Sequence, residues 1–182
     1  MPMQNEIQRN WAPVSALLLL FSLLLFFFFL YGLAAQIQII NVVDDGFLQL
    51  HSMGHALFRV FGVTAGVAGG TFLQLFVPFA LGAFFFRKRQ TFGFAVCIFF
   101  FFEQFLRVAR YMADAQTQQL PWFSIGRYES SIHDWHYLFS ELGVLSYAKG
   151  IAGTVHVLGS LGMVTVTAWL FWRGVNDIMF ER

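Results

Sequence analysis

Long apolar runs and short polar breaks alternate along the chain, and the breaks divide it into pieces of membrane length. No residue between Trp11 and Val43 carries a charge, and residues 12–35 are mostly Leu, Phe and Ala. At ~1.5 Å per helical residue this run crosses the ~30 Å hydrocarbon core of a bilayer. It exceeds the ~7–15 apolar residues of a secretory signal and reads as a retained anchor. The runs 66–86, 91–111 and 151–172 each approach the ~20 residues that a spanning helix needs. The pattern predicts an all-α integral membrane protein, one membrane domain with four transmembrane helices.

Two stretches are too polar to be read as simple spans. Residues 47–64 have helical periodicity and carry His51 and His55, which predicts an interfacial or re-entrant helix, tolerated at membrane depth where it packs on protein or lines a wet cavity. Residues 112–150 predict an outer loop with a short helix: Ser131 suits its N-cap, Leu138 and Leu142 give an apolar stripe, and Gly143 stops it. The basic turn Arg87-Lys88-Arg89 belongs in the cytoplasm by the positive-inside rule. Four spans then put both termini inside, with Arg9, Arg173 and Arg182, and both histidine-rich segments outside. The alternative lets 47–64 cross as a fifth span, which moves the N-terminus out and sinks Arg59 into the bilayer.

Composition agrees with the membrane reading: 58% of residues are hydrophobic, 25 are phenylalanine and only 12% are charged, more apolar surface than one soluble domain can hide. A net charge of +1 and the lack of any basic run beyond residues 87–89 argue against a nucleic-acid partner. No glycine-rich loop leads into a basic helix start, so there is no nucleotide signal. The single cysteine, Cys97, permits no intrachain disulfide and reads as a small buried residue. The expected partners are the lipid bilayer and other membrane subunits.

Four of the five histidines fall into two pairs at helical spacing. His51 and His55, four apart, stack on one helix face, the arrangement of a two-histidine metal site. His133 and His136, three apart, flank Asp134. Asp114, at the outer end of the third span, is a candidate third ligand, and Asp44 competes with it. The expected cofactor is one divalent ion, zinc by the donor types, since paired histidines beside aspartates suit a non-haem metal better than haem, quinone or pigment. His156, inside the last span near its outer end, reads as a packing or hydrogen-bonding residue.

The third span also carries a charged stripe, Glu103, Arg107, Arg110 and Asp114, on one face of the helix. Charges in a membrane helix normally face the bundle interior, paired. Glu103 with Arg107 and Arg110 with Asp114 are the expected ion pairs, with a proton path as the competing use.

The His-x-x-Gly-His helix, the run Gly66-Val-Ala-Gly-Gly-Thr-Phe-Leu-Gln74, the segment Arg110-Tyr-Met-Ala-Asp-Ala115 and the run His133-Asp-Trp-His-Tyr-Leu138 resemble a family of small bacterial membrane proteins with a His-Glu-x-Gly-His motif. That family is loosely similar to intramembrane zinc peptidases of the site-2 protease type. The resemblance implies an inner-membrane location and His51 and His55 as metal ligands, with Asp114, His133, Asp134 and His136 completing or supporting the site. It breaks at Ser52, which stands where the family has the glutamate that takes a proton from metal-bound water. Loss of such a general base costs ~10²- to 10⁴-fold in rate. The first expectation is therefore a catalytically degenerate, zincin-like accessory or assembly subunit of a membrane complex. The alternatives are an active metallopeptidase using Glu103, Asp114 or Asp134 as base, and a proton- or ion-handling subunit built on the charged stripe.

Overall fold

The computed structural model describes residues 11–20, 22–24, 27, 40–120 and 133–180. Described residues in the leading segment are helical at 16–20, 22–24 and 27. Five helices follow: α1 Ile40–Phe58, α2 Val63–Arg87, α3 Thr91–Ala113, α4 Asp134–Glu141 and α5 Ala148–Phe180. Two 3₁₀ turns, Arg59–Phe61 and Leu145–Tyr147, lead into α2 and α5. There is no strand among the described residues.

Val63–Arg87, Thr91–Ala113 and Leu145–Met179 are each long and apolar enough to cross a membrane. The first expected span, 12–35, and the predicted cap Ser131 fall partly or wholly outside the described residues. The helix carrying His51 and His55 is already formed at Ile40, before the expected Phe47, and stops at Phe58. The charged pair Asp44-Asp45 breaks the apolar pattern without breaking the backbone helix. Likewise α5 runs past both ends of the predicted 151–172, because helical backbone continues where hydropathy has already fallen.

Large apolar side chains on α2 and α5, among them Phe72, Phe79, Leu161 and Phe171, face outward as lipid-facing residues do. Inside, the helices meet through small residues, as membrane helices do where apolar burial gives little drive. A Cβ on Gly54 of α1 would lie 2.1 Å from the Gly69 carbonyl oxygen, and one on Gly69 would lie 2.5 Å from Phe58 Cβ. α1 and α2 thus pack backbone to backbone as an antiparallel pair. Gly62, at φ 112°, makes the turn between them, a conformation that side chains disfavour.

One end of the bundle is tied by the leading segment. Ala12 N donates to Arg89 O at 2.8 Å, Val14 N donates to Asp177 Oδ2 at 3.0 Å, and Arg173 donates to Trp11 O. The Trp11 ring packs edge-on against Phe86, Phe94 and Trp169. The basic turn and the C-terminal part of α5 therefore share this end. At the other end Val108, Met112 and Ala115 pack with Phe139 of α4 and Ala148 and Ala152 of α5. This second cluster seats α4 over the start of α2.

Candidate metal centre

Antiparallel packing of α1 on α2 sets His51 and His55 against the glycine face of α2, and α4 brings Asp134 onto the same point. His51 Nε2 lies 2.9 Å from Asp134 Oδ2, His55 Nε2 lies 3.2 Å from it, and the two Nε2 atoms are 3.0 Å apart. The three atoms form a nearly equilateral triangle. Ligand bonds of ~2.0–2.2 Å in tetrahedral zinc geometry put donor atoms about 3.3 Å apart, so spreading by a few tenths of an ångström completes such a face. Asp134 and His51 are nearly buried, and His55, about one-third exposed at 34%, forms the open side.

The remaining ring nitrogens decide what the triangle offers. His55 Nδ1 donates to Gly66 O at 2.8 Å, and His51 Nδ1 donates to Gln74 Oε1 at 3.0 Å. Each Nδ1 therefore carries the proton and each Nε2 presents a lone pair, as in metal-ligating histidines whose other nitrogen is held by a carbonyl. Two lone pairs and a carboxylate oxygen facing one another repel unless a cation or proton lies between them. One proton satisfies one line of the triangle, whereas a divalent ion satisfies all three.

Gly70 leaves the room. A Cβ there would sit 2.7 Å from His55 Nε2 and 2.8 Å from His51 Nε2, filling the space in front of both donors. Burial would raise the Asp134 carboxyl, but a proton placed on Nε2 of His51 or His55, through its hydrogen bond and its charge, outweighs it and holds the group below its ordinary range. Burial would likewise lower His55, but its hydrogen bond to Asp134, the Asp134 charge and its bond to the Gly66 carbonyl together more than reverse this and leave it raised.

Of the six residues expected as ligands, the structure brings together His51, His55 and Asp134. The other three secure the chain around them. His133 caps α4, its Nδ1 accepting from His136 N at 3.2 Å, while its Nε2 faces Asp114 Oδ2 at 3.5 Å. Burial keeps this imidazole below its ordinary pKa. His136 donates from Nδ1 to Ala115 O at 2.8 Å. The side chain of Asp44 lies outside the described residues.

Asp114 closes the turn after α3. Its carboxylate accepts from Thr117 Oγ1 at 2.6 Å, Gln119 N at 2.9 Å and Leu120 N at 3.0 Å. Arg110 is exposed, and Asp114 turns toward these donors instead of pairing with it, because a tight turn presents backbone N–H groups at shorter reach than a flexible arginine does. Burial would raise the Asp114 carboxyl, but these hydrogen bonds and the nearby His133 hold it below the ordinary carboxylate range. A depressed pKa stabilises the fold fully above the unfolded value and loses that contribution as pH falls through the folded one. Asp114→Asn is expected to lower stability by about 1–3 kcal/mol near pH 7, with the gap to wild type closing only below the ordinary carboxylate range. Thermal unfolding in detergent between pH 7 and pH 3 checks this, and a gap that stays constant with pH would rule out the carboxylate as its source.

The expected Glu103–Arg107 pair is formed, Arg107 Nε donating to Glu103 Oε1. Glu103 is fully buried and its other oxygen accepts from Gln104 Nε2. Sequence reasoning gave no role to Gln74, Gln104 or Tyr111, and the four-residue spacing of Gly62, Gly66 and Gly70 pointed only to close helix contact or a sharp turn. The signal for the two glutamines was there: Gln74 lies in an otherwise apolar stretch and Gln104 beside Glu103, and a polar side chain inside an apolar span is rarely placed without a partner. Tyr111 stacks on His133 with ring centroids 4.1 Å apart, and its hydroxyl accepts from Asp134 N at 3.4 Å. No protein-family description, curated protein or solved structure matches the chain.

Proposed function

We propose that this protein binds one divalent ion, zinc by its donor set, between His51, His55 and Asp134, and acts as a non-hydrolytic accessory or assembly subunit of a bacterial inner-membrane complex. The observation that carries the metal is the triangle of two lone-pair nitrogens and one carboxylate oxygen, each 2.9–3.2 Å from the others. Four spans, both termini cytoplasmic and the metal site on the outer side complete the proposal. The gathering of Trp11, the basic turn and Arg173 at one end of the bundle, away from the histidines, supports that arrangement.

The non-hydrolytic part rests on where the carboxylates are. Ser52 follows His51 in place of a glutamate, and a hydroxyl of unperturbed acidity is no base near neutral pH. Glu103 is occupied by Arg107 and Gln104, Asp114 by its turn, and Asp134 belongs to the triangle. The rival reading, a working metallopeptidase, draws on the three-ligand set itself, since catalytic zinc sites keep a fourth position for water.

Metal analysis of the detergent-purified protein beside a His51→Ala, His55→Ala double variant tests the site. About one equivalent of zinc in the wild type and none in the variant is expected. Equal metal in both, or none in wild type after metal-replete purification, overturns the proposal. Metal-dependent peptide cleavage by the wild type would replace it with the peptidase reading.

A further inference from the structure

A buried line of side chains joins the Glu103–Arg107 pair to the far side of His51. Glu103 and Gln104 are 0% exposed and Gln74 is 9% exposed, so the line is dry. Gln104 Nε2 donates to Glu103 Oε2, Gln74 Nε2 donates to Gln104 Oε1 at 2.6 Å, and Gln74 Oε1 accepts from His51 Nδ1 at 3.0 Å.

With Glu103 ionised by its pairing with Arg107, the direction of this line follows from donor chemistry. A guanidinium only donates, and an ionised carboxylate only accepts. Arg107 therefore finds an acceptor in Glu103, and Glu103 demands the amide nitrogen of Gln104. Gln104 is left with its oxygen toward Gln74, which must answer with nitrogen. Gln74 then has only its oxygen for His51, and His51 must place its proton on Nδ1. An amide reports the orientation of its neighbour and does not readily pass protons on, so the line serves better as a polarity relay than as a proton path.

We propose that Glu103, Gln104 and Gln74 are positioning residues that set the tautomer of His51 and so keep its Nε2 lone pair aimed at the triangle. The relay rests on the metal reading for its purpose but not for its existence, because the tautomer is a property of the metal-free protein too.

Exchanging one atom tests the idea. In Glu103→Gln the amide oxygen stays with Arg107, so its NH₂ faces Gln104. Gln104 then turns its oxygen to residue 103 and its nitrogen to Gln74, and Gln74 turns its nitrogen to His51. His51 Nδ1 must now accept, and its proton moves to Nε2. Adding Gln74→Glu repairs this, because a carboxylate at 74 accepts from both Gln104 and His51 Nδ1–H, satisfying every group of the reversed line.

¹⁵N NMR of the histidine rings in metal-free protein, with zinc titration of the same samples, reads both steps. Expected are an Nδ1–H tautomer for His51 in wild type, an Nε2–H tautomer with zinc affinity lowered by ~10- to 100-fold in Glu103→Gln, and return of both in the double exchange. An unchanged tautomer in the single variant, or a double exchange no better than the single, overturns the relay. If Glu103→Gln does not fold, Gln74→Met leaves the Glu103–Arg107 pair in place and is expected to abolish the Nδ1–H preference; a preference that persists there overturns the relay equally. A His51 tautomer that switches without any zinc binding in wild type would preserve the relay and sink the metal site.

Discussion

Gly70→Ala is expected to abolish zinc binding while leaving the protein folded, although it alters no ligand. The added Cβ falls 2.7 Å from His55 Cε1 and Nε2 and 2.8 Å from His51 Nε2. Every clashing atom is at the end of a side chain, so the imidazoles can swing aside with little disturbance of the backbone. Turning away breaks the His55 bond to Gly66 O or the His51 bond to Gln74 Oε1, and moves one or both lone pairs off the common point. Affinity is expected to fall by more than the ~10- to 100-fold typical of changes behind the ligands, because the methyl group stands in front of them. Zinc titration beside circular dichroism checks both halves. Retained stoichiometric zinc in a folded Gly70→Ala variant would mean that the ion does not lie between the two Nε2 atoms.

The histidine pair on α1 was legible because it needs only local geometry: residues four apart share a helix face wherever the helix goes. The choice of acid was not legible. Asp114 and Asp134 both stood at the right chemical distance in the sequence reading, and what separates them is tertiary. Thr117, Gln119 and Leu120 turn back onto Asp114, whereas Phe139 packing against Val108 and Met112 seats α4 so that Asp134 reaches α1. The same holds for His133, whose spacing from His136 matches a ligand pair but whose Nδ1 is taken by the first turn of α4. Ligand spacing and capping spacing coincide at three residues, and the sequence alone has no way to separate them.

Span prediction fared better in position than in extent. Three of the expected apolar runs lie inside helices of spanning length, because apolar composition is a property of the whole run and survives small errors at its ends. Helix ends are set instead by backbone conformation, as at Gly62 with φ 112° and Gly143 with φ 68°, and only glycine announces such places in advance. Gly143 was read as a stop, and α4 does end just before it.

The glycines also yield the sharpest stability prediction, because the same substitution meets different neighbours along one helix. Gly54→Ala puts a Cβ 2.1 Å from Gly69 O, 2.7 Å from Gly69 C and 2.9 Å from Gly70 Cα, all of them backbone. No rotamer relieves such contacts, so α1 and α2 must part along their whole crossing, and His51 and His55 move away from Gly66 and Gln74 with them. A loss of about 3 kcal/mol or more is expected from overpacking, reduced by the ~1 kcal/mol that alanine gains over glycine in a helix. Gly46 lies on the same helix with nothing within 4 Å of its added Cβ, and Gly46→Ala is expected to show that gain alone. Denaturation of the two variants side by side in detergent isolates the packing effect, since propensity is common to both. Equal stabilities would mean that α1 does not lie backbone to backbone against α2, and with that contact gone the triangle of His51, His55 and Asp134 would have no frame to hold it.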